Sequence, residues 1–286
     1  MTCPFTSMNN TRIYIYGASR LSALAGKAIR NGNDEIIGAE GLASLYVGNN
    51  RLQRTAKLQH LYLGTDKPTY RNANLTNLAL NENSPILETL DIRNCGDIAG
   101  ELKLSGCNNL RTLEAEGTSI NLVTLPASSQ IETLHLPSSV TSLSLSAARK
   151  LDDFYIFNKA TQSIDYTSLR SLLIDSSDKS DNINWLSIAS ENLSNYNYLY
   201  LLNLEKSSVV DINELAAFAE KKEALEAAGT NTVTLSGTIH VTGAYSLVEE
   251  EEYEELWAPN LDIDVSAGTL TPKHKVTYKY DDITDG

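Results

Sequence analysis

Aliphatic residues recur along the chain in the spacing apolar-x-x-apolar-x-apolar. The last two apolar positions alternate, which is the periodicity of a β-strand, and the first lies where the chain turns into that strand. One such unit buries too little surface to offset the entropy of ordering it, so the repeat predicts units stacked on their neighbours. The copies are Leu42-Leu45-Val47, Leu58-Leu61-Leu63, Leu75-Leu78-Leu80, Leu87-Leu90-Ile92, Ala99-Leu102-Leu104, Leu110-Leu113-Ala115, Ile131-Leu134-Leu136, Val140-Leu143-Leu145, Leu151-Phe154-Ile156, Leu169-Leu172-Ile174, Leu199-Leu202-Leu204 and a weaker Ile183-Leu186-Ile188.

This pattern predicts a leucine-rich-repeat solenoid, mainly β, with short coils of about 20 residues and a small α/β C-terminal cap. Coils of that length are too short for a full helix on the return side. We therefore expect one strand on the concave face and a short strand or irregular turn on the convex face. Weaker half-repeats lie between the strong copies, near Ala99, Leu122 and Val140.

The position three residues after each copy is usually small or polar, which suits a turn. We expect Cys95 and Cys107 at two of these positions to be buried structural thiols rather than nucleophiles. The set is Asn50, Asn83, Cys95, Cys107, Thr118, Ser139 and Ser177.

The changes of period along the chain predict four segments. Residues 1–40 form an N-terminal cap, with an alternating strand at 12–16 and a short helix at 20–29. Residues 41–210 form the repeat region. Residues 211–266 form an α/β C-terminal capping unit, and residues 267–286 form a linker and the start of a further β module.

The capping unit begins with a helix signal, because Asp211 and Glu214 have the spacing of a capping box and Gly229 closes the helical run. A strand pair at 232–235 and 238–241 is expected next. A second helix capped by Ser246 and a strand at 261–265 complete the predicted unit.

Composition excludes several classes of function. The net charge is −13, which disfavours a nucleic-acid partner, and the sequence has no run of apolar residues long enough to cross a membrane. Three cysteines and four scattered histidines give neither a disulfide framework nor metal-ligand spacing, so no metal and no cofactor are expected. The sequence contains no common catalytic motif, and the neighbouring pair Asp152 and Asp153 would point in opposite directions on a strand.

Several motifs, taken in order, resemble a known group of proteins. Residues 131–145, with Leu136-Pro-Ser-Ser-Val-Thr141, resemble the BspA-type leucine-rich repeats of bacterial surface proteins. The wider set resembles leucine-rich-repeat structural proteins of gut bacteriophages, in tail or host-attachment assemblies. That set comprises Tyr14-Ile-Tyr-Gly-Ala-Ser-Arg-Leu21, Leu90-Asp-Ile-Arg-Asn-Cys95, Ala115-Glu-Gly-Thr-Ser-Ile120, Leu235-Ser-Gly-Thr-Ile-His-Val241 and Trp257-Ala-Pro-Asn-Leu261.

The residue between the last two apolar positions of each copy points out of the predicted concave sheet. Aromatic and charged residues at this position would form a ligand-binding stripe for a protein or glycan; exposed strand positions are also simply polar and β-favouring in many sheets. If alternate strands lie on opposite faces, Asp91, Glu114, His135 and Tyr155 remain on one face, whereas Lys103, at the same position of the copy Ala99-Leu102-Leu104, lies on the other. The stripe consists of Tyr46, Tyr62, Asp91, Glu114, His135 and Tyr155.

The resemblance implies a non-enzymatic virion protein that presents this surface in a phage tail or host-attachment assembly. The alternative is a bacterial cell-surface adhesion module located outside the cell. Either would bind a protein or glycan on a bacterial surface, or neighbouring virion proteins, and either is compatible with an oligomer. Neither membrane insertion nor catalysis is expected.

Overall fold

The computed structural model describes residues 23–25, 44–47, 59–64, 75–80, 86–177, 182–204, 208–229, 233–243, 252, 256 and 261–264. Two helices lie in these ranges, α1 (Trp185–Ser190) and α2 (Ile212–Ala227), with a 3-10 turn at Leu193–Asn195 between them. The strands in chain order are β1 (Ala23–Ala25), β2 (Ser44–Val47), β3 (His60–Tyr62), β4 (Asn77–Leu80), β5 (Thr89–Asp91), β6 (Ala99–Lys103), β7 (Thr112–Glu114), β8 (Ser119–Thr124), β9 (Thr133–Pro137), β10 (Ser142–Ser144), β11 (Asp153–Asn158), β12 (Ser163–Ile164), β13 (Ser171–Asp175), β14 (Tyr198–Leu204), β15 (Val209–Asp211), β16 (Val233–Thr242) and β17 (Leu261–Asp264).

Two parallel sheets contain most of these strands. The first sheet has the order β1-β3-β5-β7-β9-β11-β12, and its edge strand β12 is antiparallel to β11. The second sheet has the order β15-β16-β14-β13-β10-β8-β6, with β17 also paired to β16, and its pairs are parallel. Strands β2 and β4 pair separately in a two-stranded parallel sheet. From β5 to β11, successive strands therefore alternate between the two large sheets.

The sheets share one hydrophobic core, which the repeated aliphatic residues build in register. In the first sheet Leu90 is opposite Leu113, and Leu113 is opposite Leu134, and all three are fully buried. In the second sheet Leu172 is opposite both Leu143 and Leu199, and these are also buried. Each such side chain contributes roughly 1.5–3 kcal/mol when buried. In-register stacking therefore stabilises both sheets together.

The predicted leucine-rich-repeat solenoid is wrong. The structure is mainly β with two parallel sheets and few helices, instead of repeat coils with one strand on a concave face and a short strand or irregular turn on the convex face. The half-repeats that were expected to form the return segments are strands β6, β8 and β10 of the second sheet. Their inward residues Leu102, Val123 and Leu143 are buried, and this burial stabilises a second complete sheet.

Two further local predictions are wrong for the described residues. The weak copy Ile183-Leu186-Ile188 was expected to be a strand, but Trp185–Ser190 is helix α1. The Asn184 side chain accepts a hydrogen bond from the Ser187 amide and so caps this helix, which favours helix over strand. Near the N-terminus, Ala23–Ala25 is a strand within the segment predicted to be a helix.

The helix predicted after Asp211 is confirmed. Asp211 is the N-cap of α2, and both hydrogen bonds of its capping box with Glu214 are present. Gly229, which follows the C-cap residue Ala228, has a φ of +78°, which suits a helix terminus. The strand predicted at 261–265 is also present, as Leu261–Asp264.

The strand pair predicted between 232 and 241 is one continuous strand, β16. Gly237 was expected to form part of a turn, but it lies within the strand at a φ of +101°. A Cβ atom there would lie 2.3 Å from the Leu204 backbone nitrogen, so glycine permits the close approach of β14 and β16. The predicted strand at 12–16, the helix after Ser246 and the segment 267–286 lie outside the described residues.

Cys95 and Cys107 occupy the buried turn positions expected of them, and neither forms a disulfide bond. The Cys95 thiol donates a hydrogen bond to the Leu63 carbonyl at 3.6 Å. Burial raises the pKa of the Cys107 thiol to about 11. Burial of both side chains and the raised pKa of Cys107 are typical of structural thiols, because a reactive thiol has a lowered pKa and is partly exposed.

We predict that Leu134→Ala lowers the free energy of unfolding by about 2–5 kcal/mol, because it leaves a cavity in the stacked core. Leu202→Ala serves as the matched control, since Leu202 is only partly buried and should cost less than about 1 kcal/mol. Urea unfolding of the two variants measures both values. Equal losses would contradict the core assigned to the first sheet.

Candidate functional site

Five of the six residues proposed as a binding stripe lie in one row across the first sheet, which we call the polar row. Tyr62 is opposite Asp91, Asp91 is opposite Glu114, Glu114 is opposite His135, and His135 is opposite Tyr155. Because the leucines beside them point into the core, these side chains point to the outer side of the sheet. The register of the parallel strands therefore brings together residues far apart in sequence.

Tyr46 does not belong to the polar row. It lies on β2, where it is opposite Ala79 in the separate two-stranded sheet. Lys103 lies on β6 in the second sheet, as expected if alternate strands occupy opposite faces.

Asp91 is bound within the protein by Arg93. The Arg93 Nε atom donates to Asp91 Oδ1 at 3.1 Å and its Nη2 atom donates to Oδ2 at 2.9 Å. Asp91 is only 3% exposed, so this two-bond ion pair is largely shielded from water. The hydrogen bond to Asp91 is the main reason that the pKa of Arg93 is raised.

His135 lies between two carboxylates on neighbouring strands. Its Nδ1 atom is 2.8 Å from Glu114 Oε2, and its Nε2 atom is 3.0 Å from Asp153 Oδ2. The Tyr155 ring stacks on the imidazole with 3.8 Å between centroids. A carboxylate only accepts hydrogen bonds, so both ring nitrogens must donate, which requires the imidazolium form.

The surroundings of His135 favour that charged form. Burial is the largest single influence and lowers its pKa, but the hydrogen bonds and charges of Glu114 and Asp153 together outweigh burial and raise the pKa. The two N–H groups of protonated His135 therefore connect β9 to its neighbours β7 and β11.

Glu116 is a member of this site that sequence reasoning missed. It follows β7 on the same side as Glu114, with the buried Ala115 between them. Its Oε1 atom accepts a hydrogen bond from the Tyr155 hydroxyl at 2.6 Å, whereas its Oε2 atom is buried without a hydrogen-bond partner. The alternation Glu-Ala-Glu was the available signal, but only the strand register shows that it faces His135.

The neighbouring acids Asp152 and Asp153 point apart, as expected from their sequence. Asp152 Oδ1 accepts a hydrogen bond from Asn182 at 2.6 Å, while Asp153 contacts His135. The two carboxylates therefore serve different contacts.

The polar row is largely closed to a macromolecular partner. Asp91 and His135 are 3% and 8% exposed, and their polar atoms already bond to neighbouring side chains. A partner that used them would first have to break charge-assisted hydrogen bonds, which costs roughly 1.5–3 kcal/mol each. That the polar row binds a ligand stays a prediction, and its geometry favours hydrogen bonds between side chains on neighbouring strands.

The outer face of the second sheet is more open. Tyr198 and Tyr200 on β14 stack with 4.4 Å between ring centroids, and we call them the tyrosine pair. Tyr198 is 36% exposed and is one of three large hydrophobic residues exposed among the described residues, with Ile164 and Val209. Their i, i+2 spacing on a strand was a visible signal that sequence reasoning did not use.

Hydroxyl residues and one leucine lie beside the tyrosine pair. Tyr198 is opposite Ser171, which is opposite Ser142, and Tyr200 lies between Leu173 on β13 and Thr234 on β16. The serine side chains are short, so the two tyrosine rings project farther from the sheet than their serine neighbours do.

Compared with known proteins, the chain matches no family model, no curated protein and no solved structure. Within the described part of the chain, no helix is long and apolar enough to cross a membrane.

We predict that protonated His135 stabilises the fold at low pH. Its folded-state pKa is raised above the unfolded value of about 6.5, so the contribution is complete below that pH and is lost as pH rises through the folded pKa. Relative to His135→Gln, the wild type should therefore lose unfolding free energy between pH 6 and pH 9. Urea unfolding in metal-free buffer measures this difference, and His60→Gln is the matched histidine control. Parallel pH profiles for the wild type and His135→Gln would contradict the assignment.

Proposed function

We propose that this chain is a non-enzymatic virion protein of a phage tail or host-attachment assembly, and that it binds a neutral glycan on the bacterial surface. The binding surface is the outer face of the second sheet around Tyr198 and Tyr200. The observation that carries this proposal is the exposed, stacked tyrosine pair beside a row of serines.

Tyrosines in this arrangement suit recognition. A tyrosine offers a large apolar ring and a polar tip, and it loses little conformational entropy when it is bound. The stacked rings of the tyrosine pair already restrain each other. Binding to side chains that are already ordered costs less free energy than binding to flexible ones.

The surroundings of the tyrosine pair favour a glycan as partner. Hydroxyls of Ser142, Ser171 and Thr234 supply donors and acceptors, and the rings supply apolar faces, so the surface suits a ligand that carries both. The net charge of −13 repels acidic polymers, which favours a neutral glycan.

The sequence resemblance to structural proteins of gut bacteriophages supports the virion part of the proposal. Tail or capsid genes beside this gene would support it further. A wall-anchoring motif in the same reading frame would instead support a bacterial surface adhesion module.

We predict that Tyr198→Ala and Tyr200→Ala each weaken glycan binding at least about tenfold, which is the effect expected of a tyrosine hot spot. Tyr198→Phe should keep most of the affinity, because it retains the ring. The measurement is binding of the purified chain to an array of neutral bacterial surface polysaccharides, followed by titration of any glycan that binds.

Variants in the polar row provide the matched controls. Tyr62→Ala and Glu114→Gln should leave glycan binding unchanged, since both lie on the first sheet. Loss of binding in these variants, with retention in Tyr198→Ala, would move the binding surface to the polar row. Binding to no polysaccharide on the array would contradict a glycan partner.

A further inference from the structure

Glu114, Glu116 and His135 form a compact set of potential metal ligands, which we call the Glu-Glu-His cluster. One donor atom from each residue lies within 4.8 Å of the other two. Glu114 and Glu116 come from β7 and the residues just after it, and His135 comes from the neighbouring strand β9. The cluster is separate from the tyrosine pair, which lies on the second sheet.

One carboxylate oxygen of this cluster has no partner in the protein. Oε2 of Glu116 is buried and accepts no hydrogen bond, and the whole side chain is only 14% exposed. The other oxygen, Oε1, accepts from the Tyr155 hydroxyl and lies 3.9 Å from His135 Nδ1. A buried, unpaired carboxylate oxygen is costly unless a proton or a cation compensates it.

His135 is oriented as a metal-binding histidine usually is. Such a histidine donates its second ring N–H to a carboxylate, which fixes the tautomer and aims the first nitrogen at the metal. Here Nε2 donates to Asp153 at 3.0 Å, while Nδ1 faces the two glutamates. Stacking of Tyr155 holds the ring in this orientation.

The charges around the cluster are unbalanced. Four carboxylates, those of Asp91, Glu114, Glu116 and Asp153, lie in or beside it. The neighbouring cationic side chains are Arg93 and protonated His135, and the aliphatic part of Lys159 packs near Gly117. Even when all three of these count as cations, the carboxylates exceed them by one negative charge. Asp91, Glu114 and Glu116 are mostly buried, whereas the side chain of Asp153 is 58% exposed. A divalent ion would compensate that excess.

We propose that the Glu-Glu-His cluster binds a divalent transition-metal ion, with Glu114, Glu116 and Nδ1 of His135 as protein ligands. The metal takes the place of the proton between Nδ1 and Glu114, and that proton leaves to solvent. Asp153 is a positioning residue, which holds the imidazole through Nε2. Bound in this way, the ion links β7 to β9 on the outer side of the first sheet.

The ligand types favour zinc over calcium or magnesium. An imidazole nitrogen with two carboxylates is a common donor set for Zn²⁺, whereas calcium and magnesium prefer oxygen donors alone. Tetrahedral zinc with bonds of about 2.0–2.2 Å would hold its donors roughly 3.4 Å apart. Nδ1 of His135 lies 2.8 Å from Oε2 of Glu114 and 3.9 Å from Oε1 of Glu116. Binding of zinc would therefore open the first pair and close the second, each by roughly half an ångström.

The test is calorimetric titration of the chelator-treated 286-residue chain with zinc chloride, together with its thermal unfolding with and without zinc. We expect a site whose occupation raises the melting temperature. Glu116→Gln should remove that site, because a neutral amide keeps the shape and the Tyr155 contact but is a poor zinc ligand. Asp153→Asn should weaken zinc binding by about 10- to 100-fold, as expected for a carboxylate that orients a metal-binding histidine.

Matched controls separate this site from incidental zinc binding elsewhere in the chain. His60→Gln and Glu132→Gln, on or beside the same sheet but outside the cluster, should bind zinc as the wild type does. Circular dichroism establishes that each variant is folded, and Glu116→Gln carries the test if His135→Gln does not fold. Absence of zinc binding in the wild type, or unchanged affinity in folded Glu116→Gln, would overturn the proposal.

Discussion

Stacking of aliphatic side chains in register between successive parallel strands is the constraint on which the structure depends. Leu90, Leu113 and Leu134 illustrate it, since each lies directly opposite the next and all are fully buried. A shift of one residue on any strand would turn its leucine outward and bury a polar residue instead. The core therefore sets the register of every neighbouring strand.

The same register determines which polar residues meet outside the core. Once the leucines are aligned, Glu114 must lie opposite His135, and His135 must lie opposite Tyr155. Charged groups that would repel or lose solvation are instead joined by hydrogen bonds across three strands. The polar row and the Glu-Glu-His cluster are consequences of core packing as much as of their own chemistry.

The two outer faces offer different surfaces for function. The first sheet carries charged side chains that bond to one another and are shielded from water, which suits a small cation more than a large partner. The second sheet carries Tyr198 beside short serines, and this side chain is open to solvent. In the functions we propose, the second sheet therefore binds the glycan and the first sheet binds the metal ion.

Much of the local structure was determined by the sequence alone. The aliphatic spacing located the strands, the capping box of Asp211 and Glu214 located the helix α2, and the alternation within each copy placed Asp91, Glu114, His135 and Tyr155 on one side. These features depend on neighbours a few residues apart, so a linear pattern contains them. The tertiary structure alone decided that the half-repeats form a second full sheet, that Tyr46 lies apart, and that Glu116 and Asp153 flank His135. Those outcomes depend on which strands pair when strands of the other sheet lie between them in the chain, and pairing is decided by the burial of the whole core rather than by any one segment.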